Sequence, residues 1–92
     1  MMKMANNEAK LSLPKAAEEF LRSRGMKEYM IVCQDGRSYI IIGINDFMGE
    51  TRPFLCRVFL NGYVRDWIAL PAEETPKIAQ MLLEYAKKVI RE

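Results

Sequence analysis

The chain has 92 residues, half of them hydrophobic and 28% charged, with a formal charge of only +2. That describes one ordinary folded domain, small enough that oligomerisation is expected to supplement its core. There is no histidine and there are two cysteines, which excludes imidazole catalysis, His-ligated metal and a thiolate-rich zinc site.

Charge is spread evenly along the chain. Residues 1–26 hold five Lys/Arg and three Asp/Glu, residues 27–70 five of each, and residues 71–92 four of each. No segment is basic enough for indiscriminate duplex binding, which rests on many phosphate contacts. Cys33 and Cys56 lie in separate strand-like runs and form no Cys-x-x-Cys pair, so two reduced thiols in or near the core are expected. No apolar run approaches the roughly 18 residues of a membrane span. A cytoplasmic protein without a cofactor is the expectation.

Residues 1–11 show weak periodicity and read as a flexible N-terminal arm. Ser12 to Gly25 reads as a short helix. Pro14 suits its first turn, Ala16, Ala17, Phe20 and Leu21 give an apolar side, and Gly25 stops it. Packing, not chemistry, is its expected role.

Glu28 to Asn45 reads as a hairpin turning at Asp35-Gly36. That turn pairs Ile31 with Ile40 and Tyr29 with Ile42. The face holding Tyr29, Ile31, Ile40, Ile42 and Ile44 is the drier one and the expected core. Asp46 to Arg52 reads as a loop in which Phe47 and Met48 would be costly to expose for nothing, unless they cap one end of the core.

Pro53 to Leu70 carries the strongest local signal, two alternating apolar runs around Asn61-Gly62. A two-residue turn there sets Val58 opposite Arg65, Arg57 opposite Asp66, Cys56 opposite Trp67 and Leu55 opposite Ile68. One face then carries Leu55, Arg57, Phe59, Val64, Asp66 and Ile68. The other carries Phe54, Cys56, Val58, Leu60, Tyr63, Arg65 and Trp67.

Thr75 is a good N-cap and Pro76 a good first residue for a C-terminal helix. Its apolar positions, from Ile78 to Ile90, leave only a narrow polar stripe. A helix covering one sheet needs one apolar side. The surplus implies either a second copy or the N-terminal helix packed beside it.

The expected fold class is therefore α+β: an N-terminal helix, a four-stranded antiparallel sheet of two hairpins, and a C-terminal helix packed on one face, as a single domain over 12–92. Nothing in the sequence carries enzyme chemistry: there is no Gly-rich phosphate loop, no Gly-x-Ser-x-Gly elbow, and Cys56 has no histidine base. With the helices on the face holding Ile31, Ile40, Leu55 and Ile68, the open face displays aromatic rings among arginines. Such a surface suits single-stranded nucleic acid. Bases stack on rings at about 1–3 kcal/mol each, and guanidinium groups neutralise phosphate. The candidate contacts are Arg37, Tyr39, Arg52, Phe54, Arg57, Tyr63, Arg65 and Trp67. Arg57 opposite Asp66 is most economically a cross-strand ion pair. If that pair is solvent-exposed, the faces are inverted and Trp67 and Tyr63 belong to the core.

Four antiparallel strands followed by a helix, with the run Arg65-Asp66-Trp67-Ile68-Ala69-Leu70-Pro71 leading into that helix, resemble the Positive Cofactor 4/Whirly-like group of single-stranded DNA-binding proteins. The added N-terminal helix is more similar to the archaeal Thermoproteales single-stranded DNA-binding protein and its relatives. The resemblance implies non-sequence-specific binding of single-stranded DNA, with RNA as a variant, and Trp67 and Arg65 pointing outward. It also implies oligomers, here a homodimer through the C-terminal helix or a sheet face. This chain departs from the first group in lacking lysine-rich strands. The competing reading is a dimeric protein-interaction or transcription-regulatory module without nucleic acid. A small metal-dependent nuclease is a third.

Overall fold

A computed structural model describes residues 12–90. The expected N-terminal arm, 1–11, lies outside them. Helix α1 (Lys15–Ser23) leads into four strands, β1 (Met26–Asp35), β2 (Ser38–Phe47), β3 (Glu50–Phe59) and β4 (Val64–Ala69). A short 3-10 turn (Ala72–Glu74) then starts helix α2 (Thr75–Ile90). The strands form one antiparallel meander in the order β1-β2-β3-β4. The α+β class and the order of elements are as the sequence implies. The link between the hairpins is not an open loop, however. It is a two-residue turn at Met48-Gly49, both at positive φ, and β2 and β3 pair right up to it.

The covering helix differs from expectation. α1, not α2, packs on the sheet. Leu13, Ala17 and Leu21 are buried in one cluster with Met26, Ile41, Phe54, Cys56 and Val58. Fully burying a leucine such as Leu21 contributes about 1.5–3 kcal/mol, so these few contacts decide which sheet face is dry. No residue of α2 is buried, and only Thr75 and Ile78 are even half-buried.

Two bulges explain how the faces are composed. In the first hairpin the turn is Gly36-Arg37, one residue later than expected, with Gly36 at φ 62°. That shift moves the pairing by two residues, which leaves facing unchanged. The irregularity between Ile31 and Cys33 then adds one residue and swaps the faces, so Ile31 pairs with Ile41 and Tyr29 with Gly43. In the second hairpin the loop has three residues, Leu60-Asn61-Gly62, closed by Phe59 N–H donating to the Tyr63 carbonyl at 2.7 Å. Arg57 consequently pairs with Arg65 and Val58 with Val64. A bulge at Asp66, itself at φ 55°, restores the expected pairing of Leu55 with Ile68. The Asp66 bulge puts Arg65 and Trp67 on opposite faces, where simple alternation places them together.

The sheet face toward α1 therefore carries Ile31, Tyr39, Ile41, Phe54, Cys56, Val58, Val64 and Trp67. The other face carries Met30, Ile40, Ile42, Leu55, Arg57, Phe59, Arg65 and Ile68. This inverts the expected assignment over β2, β3 and the end of β4 from Trp67 onward, while Val64 and Arg65 keep the sides the sequence implied. The ion pair that was to decide the matter does so. Arg57 contacts Asp66 at 3.2 Å and Asp35 at 3.0 Å on the uncovered face. Both carboxylates raise the guanidinium pKa through hydrogen bonds. Trp67 joins the core side, whereas Tyr63 does not.

Two close approaches fix α1 against the sheet end. Gly25, at φ 108°, lets the chain press against Asp46, whose N–H donates to the Gly25 carbonyl at 2.9 Å. Buried Asn45 donates from Nδ2 to the carbonyls of Arg24 and Asp46. The Asp46 carboxylate accepts from the Thr51 hydroxyl and from Lys27, which lowers its pKa. Gly43 has a different role. A Cβ there would overlap the Glu28 carbonyl and sit 2.7 Å from the Phe54 ring. The missing side chain is what lets Phe54 lie flat across β2. Gly43→Ala is expected to lower stability by about 1–3 kcal/mol, the usual cost of overpacking, in urea unfolding. An unchanged midpoint would contradict the close approach.

Candidate nucleic-acid interface

The eight expected contact residues do not share one surface. Phe54 is fully buried, so its ring has no free face, and Tyr39 is partly buried against the core away from the other candidates. Arg57 is held between Asp35 and Asp66 and also donates to Ser38 Oγ at 2.9 Å. The remaining five split into two groups at opposite ends of the sheet.

One group stands at the tip of the second hairpin. Tyr63 stacks on Phe59 with ring centroids 6.1 Å apart and planes 27° apart. The Arg65 guanidinium lies 6.0 Å from the Phe59 ring, and Arg37 shares a shallow cavity with Phe59, Leu60 and Asn61. The rings are already stacked on each other, so only Tyr63 offers an outer face.

The other group contains Trp67 and Arg52. The bulge at Asp66 turns the indole toward α1. There it meets Phe54 and Phe20 edge-on, with centroids at 6.0 and 6.5 Å. The indole is only partly covered, because α1 is short and its last turn ends beside it. What remains is a groove of about 450 Å³ bounded by Arg24 from the end of α1, Asn45 and Phe47 from β2, Arg52 from β3, and Trp67 to Ala69 from β4. That volume falls within the range of small-ligand clefts.

The groove's rim is aromatic and cationic. Phe20 and Phe47 are 40% and 49% exposed, and the Arg24 guanidinium sits 4.8 Å over the Phe20 ring. Arg52 pairs with Glu50 at 2.6 Å, but such exposed pairs are worth little and are readily exchanged. Asn45 Oδ1 is buried with no donor in reach among the described residues.

Arg24 and Phe47 line this groove and Phe20 abuts the indole beside it; none of the three was among the sequence candidates. Phe47 carried a signal, since exposing it needs a reason. Phe20 and Arg24 carried a weaker one, a ring and a cation four apart on one helix.

Other chemistries gain nothing from the geometry. Burial pushes the Cys56 thiol up to about 11, far from a reactive thiolate. The two free cysteines lie on opposite sheet faces, Cys33 exposed and Cys56 buried. No described helix is long and apolar enough to cross a membrane. No family model, curated protein or solved structure matches the chain. The resemblance to single-strand-binding groups rests on the residues of the sequence alone.

Trp67 reports directly on this arrangement. Trp67→Ala is expected to cost about 2–4 kcal/mol, somewhat below the 3–5 of a fully buried ring, whereas Trp67→Phe should cost much less. Urea unfolding followed by circular dichroism measures both. A loss under about 0.5 kcal/mol for Trp67→Ala would place the indole on the solvent side.

Proposed function

We propose that the protein binds single-stranded nucleic acid, DNA first, without sequence preference, through the groove beside Trp67 and not through a broad sheet face. The observation that carries this reading is the partly buried indole in a groove that Arg24, Arg52 and the exposed Phe47 also line, with the exposed Phe20 edge-on beside it. Trp67, Phe47 and Phe20 would supply stacking surfaces, which every base can use. Arg24 and Arg52 would neutralise phosphate. Arg37, Tyr63 and Arg65 at the far hairpin would take a longer strand onward. The groove is too narrow and too weakly charged for duplex. A cytoplasmic setting, with Cys33 reduced, belongs to the same reading. It needs neither a cofactor nor catalysis.

A titration of Trp67 fluorescence with oligo-dT, against a duplex of equal length, tests the proposal. The single strand should quench the indole and the duplex should not. With an oligo-dT short enough to fill only the groove, its two arginine contacts imply a slope of log K against log salt near −1.4, at about −0.7 per phosphate on single strands. Phe47→Ala leaves the core untouched and should weaken binding about 5- to 150-fold, in line with ~1–3 kcal/mol per stacked base; Arg24→Ala should weaken it and cut the salt slope by about 0.7. Absence of quenching at low salt, or equal quenching by duplex, would overturn the reading.

A further inference from the structure

The uncovered sheet face and helix α2 present two unsatisfied apolar surfaces on the same chain. Across the sheet, Met30, Ile42, Leu55 and Ile68 stand in one register row spanning all four strands. Met30 is 75% exposed and Ile42 and Ile68 about half. On α2, Ile78, Met81, Leu82, Tyr85 and Val89 recur at helical spacing and make one stripe, with Val89 84% exposed. Contiguous apolar surface of this kind on both an element and a sheet marks an interaction site.

We infer that two copies of the chain exchange α2 reciprocally, each helix lying across the open Met30–Ile42–Leu55–Ile68 row of its partner. Three observations commit the site to a second copy. The first is complementarity: the row is aliphatic, which suits a helix stripe and offers no ring for a base. The second is the connection. Leu70 N–H donates to the Pro53 carbonyl, and Glu74 N–H and Thr75 Oγ1 both donate to the Pro71 carbonyl. These bonds set the start of α2, and along its length no residue is buried, so its apolar stripe is left for another chain to cover. The third is area. Met81, Leu82, Tyr85 and Val89 with Met30, Ile42 and Ile68, at roughly 100 Å² apiece, approach the ~800 Å² per partner of a standard interface. A 16-residue helix, about 24 Å long, is also long enough to span the row, whose four strands at about 4.8 Å spacing cover about 14 Å. The contact is isologous and closes as a two-fold dimer. It lies on the sheet face opposite the Trp67 ring, sharing only Ile68 with the border of the groove, and its argument does not use what that groove binds.

Light scattering of the full chain during gel filtration at about 10–200 µM tests this. Wild type should run at twice the 10.7 kDa chain mass. Leu82→Glu on the helix and Ile42→Lys on the sheet should each halve that mass while keeping wild-type circular dichroism. Met30→Glu, on the edge strand, replaces Ile42→Lys if the latter fails to fold. A monomeric wild type at 200 µM would overturn the inference, since α2 would then serve its own sheet or a different protein. So would a sheet variant that stays dimeric while Leu82→Glu does not, because α2 would then pair with α2.

Discussion

Docking of α1 is the contact on which the molecule depends. Leu13, Ala17 and Leu21 seal one face of the sheet over Ile41, Phe54, Cys56 and Val58. A four-stranded sheet with apolar residues on both sides has no intrinsic inside, and the first helix supplies one. Gly25 and Asn45 then pin that helix at the sheet end where the strands β2 and β4 finish. Once α1 is seated, Phe54 and Trp67 lie on its side with Ile41 and Val58, and Met30, Ile40, Ile42, Leu55 and Ile68 lie on the other.

This division gives the two faces different aptitudes. The α1 side is mostly closed, but the helix is nine residues long and stops before it covers Trp67. The gap is edged by rings and arginines, and it suits flat, charged ligands. The other side is broad and aliphatic, crossed by an ion cluster of Asp35, Arg57 and Asp66 near one end. It suits the apolar stripe of a helix such as α2. Stacking and self-association would thus use opposite sides of one thin sheet.

Much of the fold was legible in the sequence. Gly-bounded turns, Pro14 and the Thr75-Pro76 pair placed both helices and all four strands, because those signals are local. Which face is covered was not legible, and the reason is physical. Facing follows from register, and the bulges at Val32 and Asp66 shift it in ways that alternation cannot reveal. The Asp66 bulge alone separates Arg65 from Trp67. An aspartate at positive φ gives little warning, since glycine is the residue that usually marks such a site. The sequence did contain the deciding question, whether Arg57 and Asp66 face water, and the surplus apolar positions of α2 were visible from the start. The groove was missed because half of it comes from α1 and the end of β2, distant in sequence from Trp67.

The environment of the indole tests the account most directly. Nuclear Overhauser contacts from the Trp67 ring protons should reach the rings of Phe20 and Phe54. Contacts from the indole to Leu82 or Tyr85 of α2, with none to Phe20, would mean that the other helix covers this face, and the account would fail.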